Sequence, residues 1–287
     1  MELLLNELSF HNQFKSFEHF QETALIDLIY ILNLQKLKFI NVLKKSDFYL
    51  NKVYDDKTIQ EILILKNKEG KSDEIRKLKS QLANIIYDPF WDSNKVCDSN
   101  SKYFYLKTQV TDTCLAEGYE RNLNIISIAP SIFNTDNLVV NKEKVIKNLI
   151  NYFSYKSIVI KLYREHKITF EFFCKNYFKG DKLNFSLTNS TESFQLIYKK
   201  SDEEEFFKSF KMFEDLNWDK ILQQGGKGKN KAGLAYVKYH NQNYFADYQP
   251  KSIIYKFRAS EKFRVFGYRI NNIFYVLEFD LTHRLSD

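Results

Sequence analysis

From Leu234 onward the hydrophobic residues of this sequence recur every two positions, whereas upstream the clearest repeats fall every three or four. A period of two sends alternate side chains to opposite faces of a strand, and a period near 3.6 lines one face of a helix. A chain with both patterns in separate blocks must build mixed layers. Helices are predicted at 16–34, where Phe17, Phe20, Ala24, Leu25, Leu28, Ile31 and Leu32 share a face, and at 58–67, 73–86, 142–153, 169–178 and 203–217, with another starting near Thr111-Asp112-Thr113. Strands are predicted at 37–42, 103–107, 123–128, 157–162, 183–187 and 194–198, then at 234–240, 251–258, 262–270 and 273–280. The fold class that follows is α+β.

A change of composition marks a boundary. The run Lys199-Lys200-Ser201-Asp202-Glu203-Glu204-Glu205 separates a larger mixed domain, 1–200, from a small helix-plus-antiparallel-sheet domain, 201–287. Ser201 or Asp202 is a suitable cap for the next helix, whose apolar face carries Phe206, Phe207, Phe210, Phe213 and Leu216. Near the end, Asn271-Asn272 suits a two-residue hairpin turn because asparagine tolerates positive φ. That turn would pair Tyr268 with Tyr275, Phe266 with Leu277 and Arg264 with Phe279, leaving Arg269, Glu278 and Asp280 on the other face.

Charge follows the same division. Residues 220–287 hold 12 Lys/Arg against 5 Asp/Glu, so the whole net charge of +7 lies there. Four of the seven arginines (Arg258, Arg264, Arg269, Arg284) fall in the last 30 residues. Arginine is the residue suited to bidentate phosphate recognition, and its clustering points to nucleic acid. The segment 223–233 holds four of the eight glycines together with Lys227, Lys229 and Lys231, yet lacks phosphate-loop spacing; it is expected to be a basic loop. With 44% hydrophobic residues the chain is not disordered. Cys97, Cys114 and Cys174 form neither a disulfide framework nor a zinc spacing, the start MELLLNELSFHNQF has no basic leader, and no apolar run is long enough to span a membrane. A cytoplasmic protein without cofactor, structural metal or membrane partner is expected.

The stretch Phe263-Arg264-Val265-Phe266-Gly267-Tyr268-Arg269, followed by an apolar strand and His283-Arg284, resembles the end of the RelE/ParE-type toxin superfamily. The preceding helix, loop and strands resemble that small fold in order over about the last 85 residues. The resemblance implies a metal-independent endoribonuclease, in which the RNA 2′-hydroxyl attacks the adjacent phosphorus and leaves a 2′,3′-cyclic phosphate. Such chemistry needs a base, an acid and cations on the phosphorane. Arg264, Arg269 and Arg284 are then the cationic candidates, and His283 or Tyr268 the acid or base. Lys227, Lys229, Lys231, Lys251, Lys256, Arg258 and Lys262 are the nucleic-acid-binding set. Where active family members often carry an aromatic acid/base a few residues after His-Arg, this sequence reads Leu285-Ser286-Asp287. ParE-type relatives share the fold, act on gyrase and lack nuclease residues, so fold leaves the activity open.

The N-terminal part, through Asp88-Pro89-Phe90-Trp91-Asp92, 111–121 and 125–131, is similar to uncharacterised bacterial proteins of defence and toxin-like neighbourhoods. The expected function is thus a toxin-like or antiphage-defence protein that binds and cleaves RNA, ribosome-bound or free, with an antitoxin or defence protein as partner. The N-terminal domain would sense, recruit or restrain. Two alternatives stand beside it: a non-catalytic nucleic-acid- or ribosome-binding defence subunit, and a metal-dependent nuclease in which Asp92, Asp112 and Glu117 hold Mg²⁺.

Overall fold

The computed structural model describes residues 1–64, 80, 83–128, 132–179, 182–224, 233–246 and 252–285. The chain forms two compact units, Met1–Leu162 and Tyr163–Asp287. Helices and mixed sheets are both abundant, so the class is α+β. Among the described residues no helix is long and apolar enough to cross a membrane. Most of the helix expected at 73–86, the turn at 68–71, the segment 129–131, and Lys227, Lys229, Lys231 and Lys251 lie outside the described residues.

In the first unit the strands are β1 (Glu2–Leu5), β2 (Asn41–Leu43), β3 (Lys52–Tyr54), β4 (Lys57–Thr58), β5 (Tyr103–Tyr105), β6 (Thr108–Gln109), β7 (Asn124–Ile126), β8 (Asn137–Lys142) and β9 (Val145–Tyr152). Seven of them make one sheet in the order β2-β1-β7-β9-β8-β5-β6, and β3-β4 form a separate ribbon. The β2-β1-β7-β9 half is parallel and the rest antiparallel. Parallel strands are covered on both faces, which is why Leu3-Leu4-Leu5 and Ile125-Ile126 read as unbroken apolar runs and are fully buried.

The helix predicted at 16–34 is one helical run, Phe17–Phe20, a π-turn at Gln21–Leu25 and Ile26–Lys36, started by the Ser16 hydroxyl accepting from the His19 N–H at 3.2 Å. Two expectations are reversed. The segment 142–153 is strand β9, paired with β8 through a turn in which Glu143 takes φ 55°, and 157–162 is the helix Tyr155–Arg164. Both segments are rich in Ile, Val and Leu, and short apolar runs do not reveal their period until a partner is present. In the helix the buried residues are Tyr155, Ile158, Val159 and Leu162, at three- and four-residue spacing.

In the second unit β10 (Leu183–Asn184), β11 (Val237–Lys238), β12 (Ile254–Arg258), β13 (Arg264–Ile270) and β14 (Ile273–Asp280) form a sheet in the order β10-β14-β13-β12-β11. β10 runs parallel to β14 and all other pairs are antiparallel. The segment 194–198 is a short 3-10 turn, Phe194–Leu196. The division of the chain at Leu162/Tyr163 differs from the boundary at 200/201 because β10 completes this sheet and Phe185 and Phe194 pack on Phe210 and Phe279, with ring centres 4.9 and 5.0 Å apart. The helix Lys200–Asp215 begins one turn earlier than expected, with Lys199 at its cap position and no side-chain cap bond. It presses Phe206 onto Phe279 (4.7 Å) and Phe213 onto Phe257 (4.8 Å).

The β13–β14 hairpin departs from the simple register in one place. Tyr268 does pair with Tyr275, but a bulge between Phe266 and Gly267 shifts the ladder, so Phe266 meets Glu278 and Arg264 meets Asp280. Arg264, Glu278 and Asp280 therefore share a face. The bulge depends on glycine: a Cβ at Gly267 would lie 2.1 Å from the Tyr275 carbonyl oxygen and 2.7 Å from the Phe274 ring. Gly267→Ala is expected to cost about 1–3 kcal/mol, the range for overpacking a well-filled core. Urea unfolding of the purified variant beside wild type measures it, and a loss below about 0.5 kcal/mol would show that the ladder does not need this approach.

Candidate functional site

With the shifted register, two rows of side chains cross the sheet face away from the Lys200–Asp215 helix. One row is Arg258, Arg264 and Asp280; the next is Lys256, Phe266 and Glu278. Two guanidinium groups directly opposite each other repel, an arrangement that sheets ordinarily avoid. Burial first, and then Arg258, push the Arg264 guanidinium below its ordinary pKa, with Asp280 acting the other way. Arg264 is anchored locally, its Nη1 donating to the carbonyls of Ser260 (3.0 Å), Glu261 (3.2 Å) and Phe263 (2.9 Å). The Lys256 ammonium lies 5.7 Å from the Tyr239 ring centre and 5.9 Å from that of Phe266.

The end of β14 folds back over this face because Asp280 winds it. Its carboxylate accepts from the backbone N–H groups of Thr282 (3.2 Å), Arg284 (3.0 Å) and Leu285 (2.9 Å). Within that turn His283 takes φ 64°, and Arg284 is returned to Glu278. Arg284 Nη2 bonds Glu278 Oε1 at 2.5 Å and Glu192 Oε2 at 2.8 Å, and the Tyr244 hydroxyl reaches Glu278 Oε1 at 3.4 Å. Glu278 is only 1% exposed. Burial is the main reason its carboxyl is pushed up to about 7; Glu192 and Asp280 add to the rise, and Arg284 and Tyr244 oppose it. A carboxyl that exchanges its proton near neutrality beside a guanidinium is equipped for acid–base work.

Of the residues singled out from sequence, Lys256, Arg258, Arg264 and Arg284 meet on this face. Tyr268 lies in the core of this face instead: it is 2% exposed, stacked on Tyr275 with ring centres 5.2 Å apart, and packed with Phe266 and Leu277. Arg269 belongs to the opposite face, 3.7 Å over the Trp218 ring. Lys262 is exposed in the β12–β13 connection, and His283 is half-buried in the terminal turn. Sequence reasoning missed Glu278, Tyr244 and Glu192. One signal was available: Leu277-Glu278-Phe279-Asp280 places two carboxylates inside an otherwise apolar strand, and buried acids are uncommon without a partner.

The N-terminal carboxylates do not converge. Asp92 accepts from Ser46 N and Oγ (2.9 and 2.6 Å), and Asp112 pairs with Lys95 at 2.6 Å. Glu117 accepts from the N–H groups of Val96 and Cys97 and from Arg121. Among the described residues no three His, Cys, Asp or Glu side chains come together as a metal-ligand set. Cys114 is fully buried, and burial holds its thiol well above the ordinary value. Compared with protein-family models, with curated proteins and with solved structures, the chain has no match.

The raised carboxyl of Glu278 fixes a pH dependence. Its folded pKa of about 7 lies above the ordinary 4.5, so its contribution to stability is complete below pH 4.5 and is lost as pH rises to about 7. Glu278→Gln is expected to flatten the fall in unfolding free energy across that window. Urea titrations at a series of pH values test this, and an unchanged slope in the variant would exclude Glu278 as its source.

Proposed function

We propose that the Tyr163–Asp287 unit is a RelE-like domain that binds RNA on the face carrying Lys256, Arg258, Arg264 and Arg284 and cleaves it by metal-independent transesterification. The observation that carries the reading is the presence of these four cations on one sheet face with Glu278, a buried carboxyl bonded to Arg284 with its pKa pushed up to about 7. Arg258 and Arg264, side by side on neighbouring strands, offer two guanidinium forks suited to phosphate oxygens.

In this reading the ionised Glu278 carboxylate takes the proton of the RNA 2′-hydroxyl. The 2′-oxygen attacks the adjacent phosphorus, and the bond from phosphorus to the 5′-oxygen breaks. His283 protonates the departing 5′-oxygen, leaving a 2′,3′-cyclic phosphate and a 5′-hydroxyl. Arg264 and Arg284 face the charge that grows on the phosphorane, and Lys256 and Arg258 hold flanking phosphates. Arg284, already bonded to Glu278 and Glu192, changes partners to do this, so substrate binding exchanges an internal ion pair for a phosphate. A toxin or antiphage-defence role follows from an unrestrained ribonuclease, whose partner would be an acidic protein covering this face.

Purified protein should cut RNA in excess EDTA, with a rate that climbs with pH through an apparent pKa near 7. Arg264→Ala is expected to reduce the rate by about 10²–10³ and Glu278→Gln by about 10²–10⁴, without loss of the folded state. RNA binding without cleavage would replace the nuclease with a non-catalytic binder. Cleavage that EDTA abolishes, or that survives both substitutions, would defeat the mechanism.

A further inference from the structure

Arg269, excluded from the cationic face, builds a cleft on the opposite side of the same sheet. Tyr236, Ser252, Ile253, Tyr255, Arg269 and Asn271 line an open cavity of about 460 Å³. Its guanidinium is clamped: the carbon lies 3.7 Å from the Trp218 ring centre, Nε donates to the Asn271 carbonyl at 2.5 Å, and Nη2 reaches Asn272 Oδ1 at 3.5 Å. Among the described residues no carboxylate pairs with it. Trp218 is fixed in turn by its indole N–H, which donates to the Asn272 carbonyl at 3.1 Å.

The second observation is Tyr236. It is 4% exposed, its ring stacks on Tyr255 at 5.0 Å and 13°, and its hydroxyl is buried with no hydrogen-bond partner among the described residues. A buried hydroxyl without a partner costs free energy, and this one belongs to a residue that lines the cavity. At the rim Ile253 is 50% exposed, as is Leu222, which also borders the cleft. An aliphatic anion would satisfy Arg269 and leave the aromatic wall uncovered; an uncharged ring would cover the wall and leave the fixed cation unpaired. A nucleotide supplies both halves, a planar base for the aromatic and apolar wall and a phosphate for the guanidinium.

We propose that this cleft is a nucleotide-binding site, with the base against Tyr255 and Ile253, the phosphate on Arg269 and a polar group of the base or sugar paired with the Tyr236 hydroxyl. It is separate from the proposed cleavage face and does not require that face to be catalytic. The nucleotide has two sources, a free mononucleotide or one residue of an RNA chain, and the chemistry of recognition is common to both.

Calorimetry of the full chain with adenosine 5′-monophosphate, and with a short 2′-O-methyl oligoadenylate that resists cleavage, separates the sources. Binding of the mononucleotide marks a free-nucleotide site; binding of the oligonucleotide alone marks a base-binding subsite for RNA. In either case the emission of Trp218 should change on binding. Arg269→Gln is expected to weaken the interaction about tenfold or more, and Tyr236→Phe about threefold, the losses of a charge-assisted and a neutral hydrogen bond. Arg264→Ala should leave mononucleotide affinity unchanged, and in that background Arg269→Gln must still weaken the oligonucleotide. If Arg269→Gln disturbs the fold by circular dichroism, Ile253→Glu takes its place, setting a carboxylate at the exposed rim against the phosphate with the same expected loss. Absence of binding by both ligands, or a mononucleotide affinity that follows Arg264 instead of Arg269, would overturn the proposal.

Discussion

The close approach of β13 to β14 at Gly267 is the constraint on which the C-terminal sheet depends. With only 2.1 Å between an added Cβ and the Tyr275 carbonyl oxygen, no other residue fits without moving the strand. The bulge formed there gives β14 one extra residue against β13, so Leu277 and Glu278, adjacent in sequence, both serve the face away from the helix. Leu277 fills the core with Phe266 and Tyr268, and Glu278 reaches Arg284. Without the bulge the carboxylates would point toward the aromatic layer under the Lys200–Asp215 helix.

That aromatic layer explains why the two faces can be so different. Phe206, Phe210 and Phe213 close over Phe257 and Phe279 with ring separations of 4.7 to 6.4 Å, so one face is dry and its packing secures the sheet. Large buried rings supply most of the apolar area available to a unit of this size. The opposite face has a smaller apolar core of its own, Phe266, Tyr268 and Leu277 with Tyr239 and Phe245, and its charged residues lie beside that core. Beyond the end of the helix, where the aromatic layer stops, Trp218, Tyr236 and Arg269 continue it as an open cleft.

Much of the C-terminal fold was legible from sequence because its strands are long, alternate cleanly and end in an Asn-Asn turn. The Phe206/Phe210/Phe213 stripe likewise had one plausible meaning. Less was legible in the N-terminal unit. Residues 142–153 and 157–162 exchange helix and strand, since Val, Ile and Leu runs of six to ten residues suit either until β7 and β8 provide an edge to pair with. Lys256, Arg258, Arg264 and Arg284 stand out in the sequence by their clustering. Their geometry does not, because one bulge at Gly267 inverts the facing of Glu278 and Asp280, and a period count has no means of seeing a single inserted residue. Arg269 lies on the turn side of the bulge, so the simple alternation that sets it on the face opposite Tyr268 holds there.

The two buried acids of this face differ in what they do for the fold. Asp280 has an evident structural task, since three backbone N–H groups converge on it and the terminal turn could not close otherwise. Glu278 has no comparable task. Its bond to Arg284 is shared with Glu192, and burial holds its carboxyl up to about 7, so its ionised form is disfavoured near neutral pH. An apolar residue of similar volume at that position would commonly be neutral or stabilising, because desolvating a charge costs about as much as a partner returns. A buried carboxyl bonded to Arg284, on the face that also carries Lys256, Arg258 and Arg264, is the feature on which the function proposed above rests, and that proposal assigns it a role toward a bound phosphate ester.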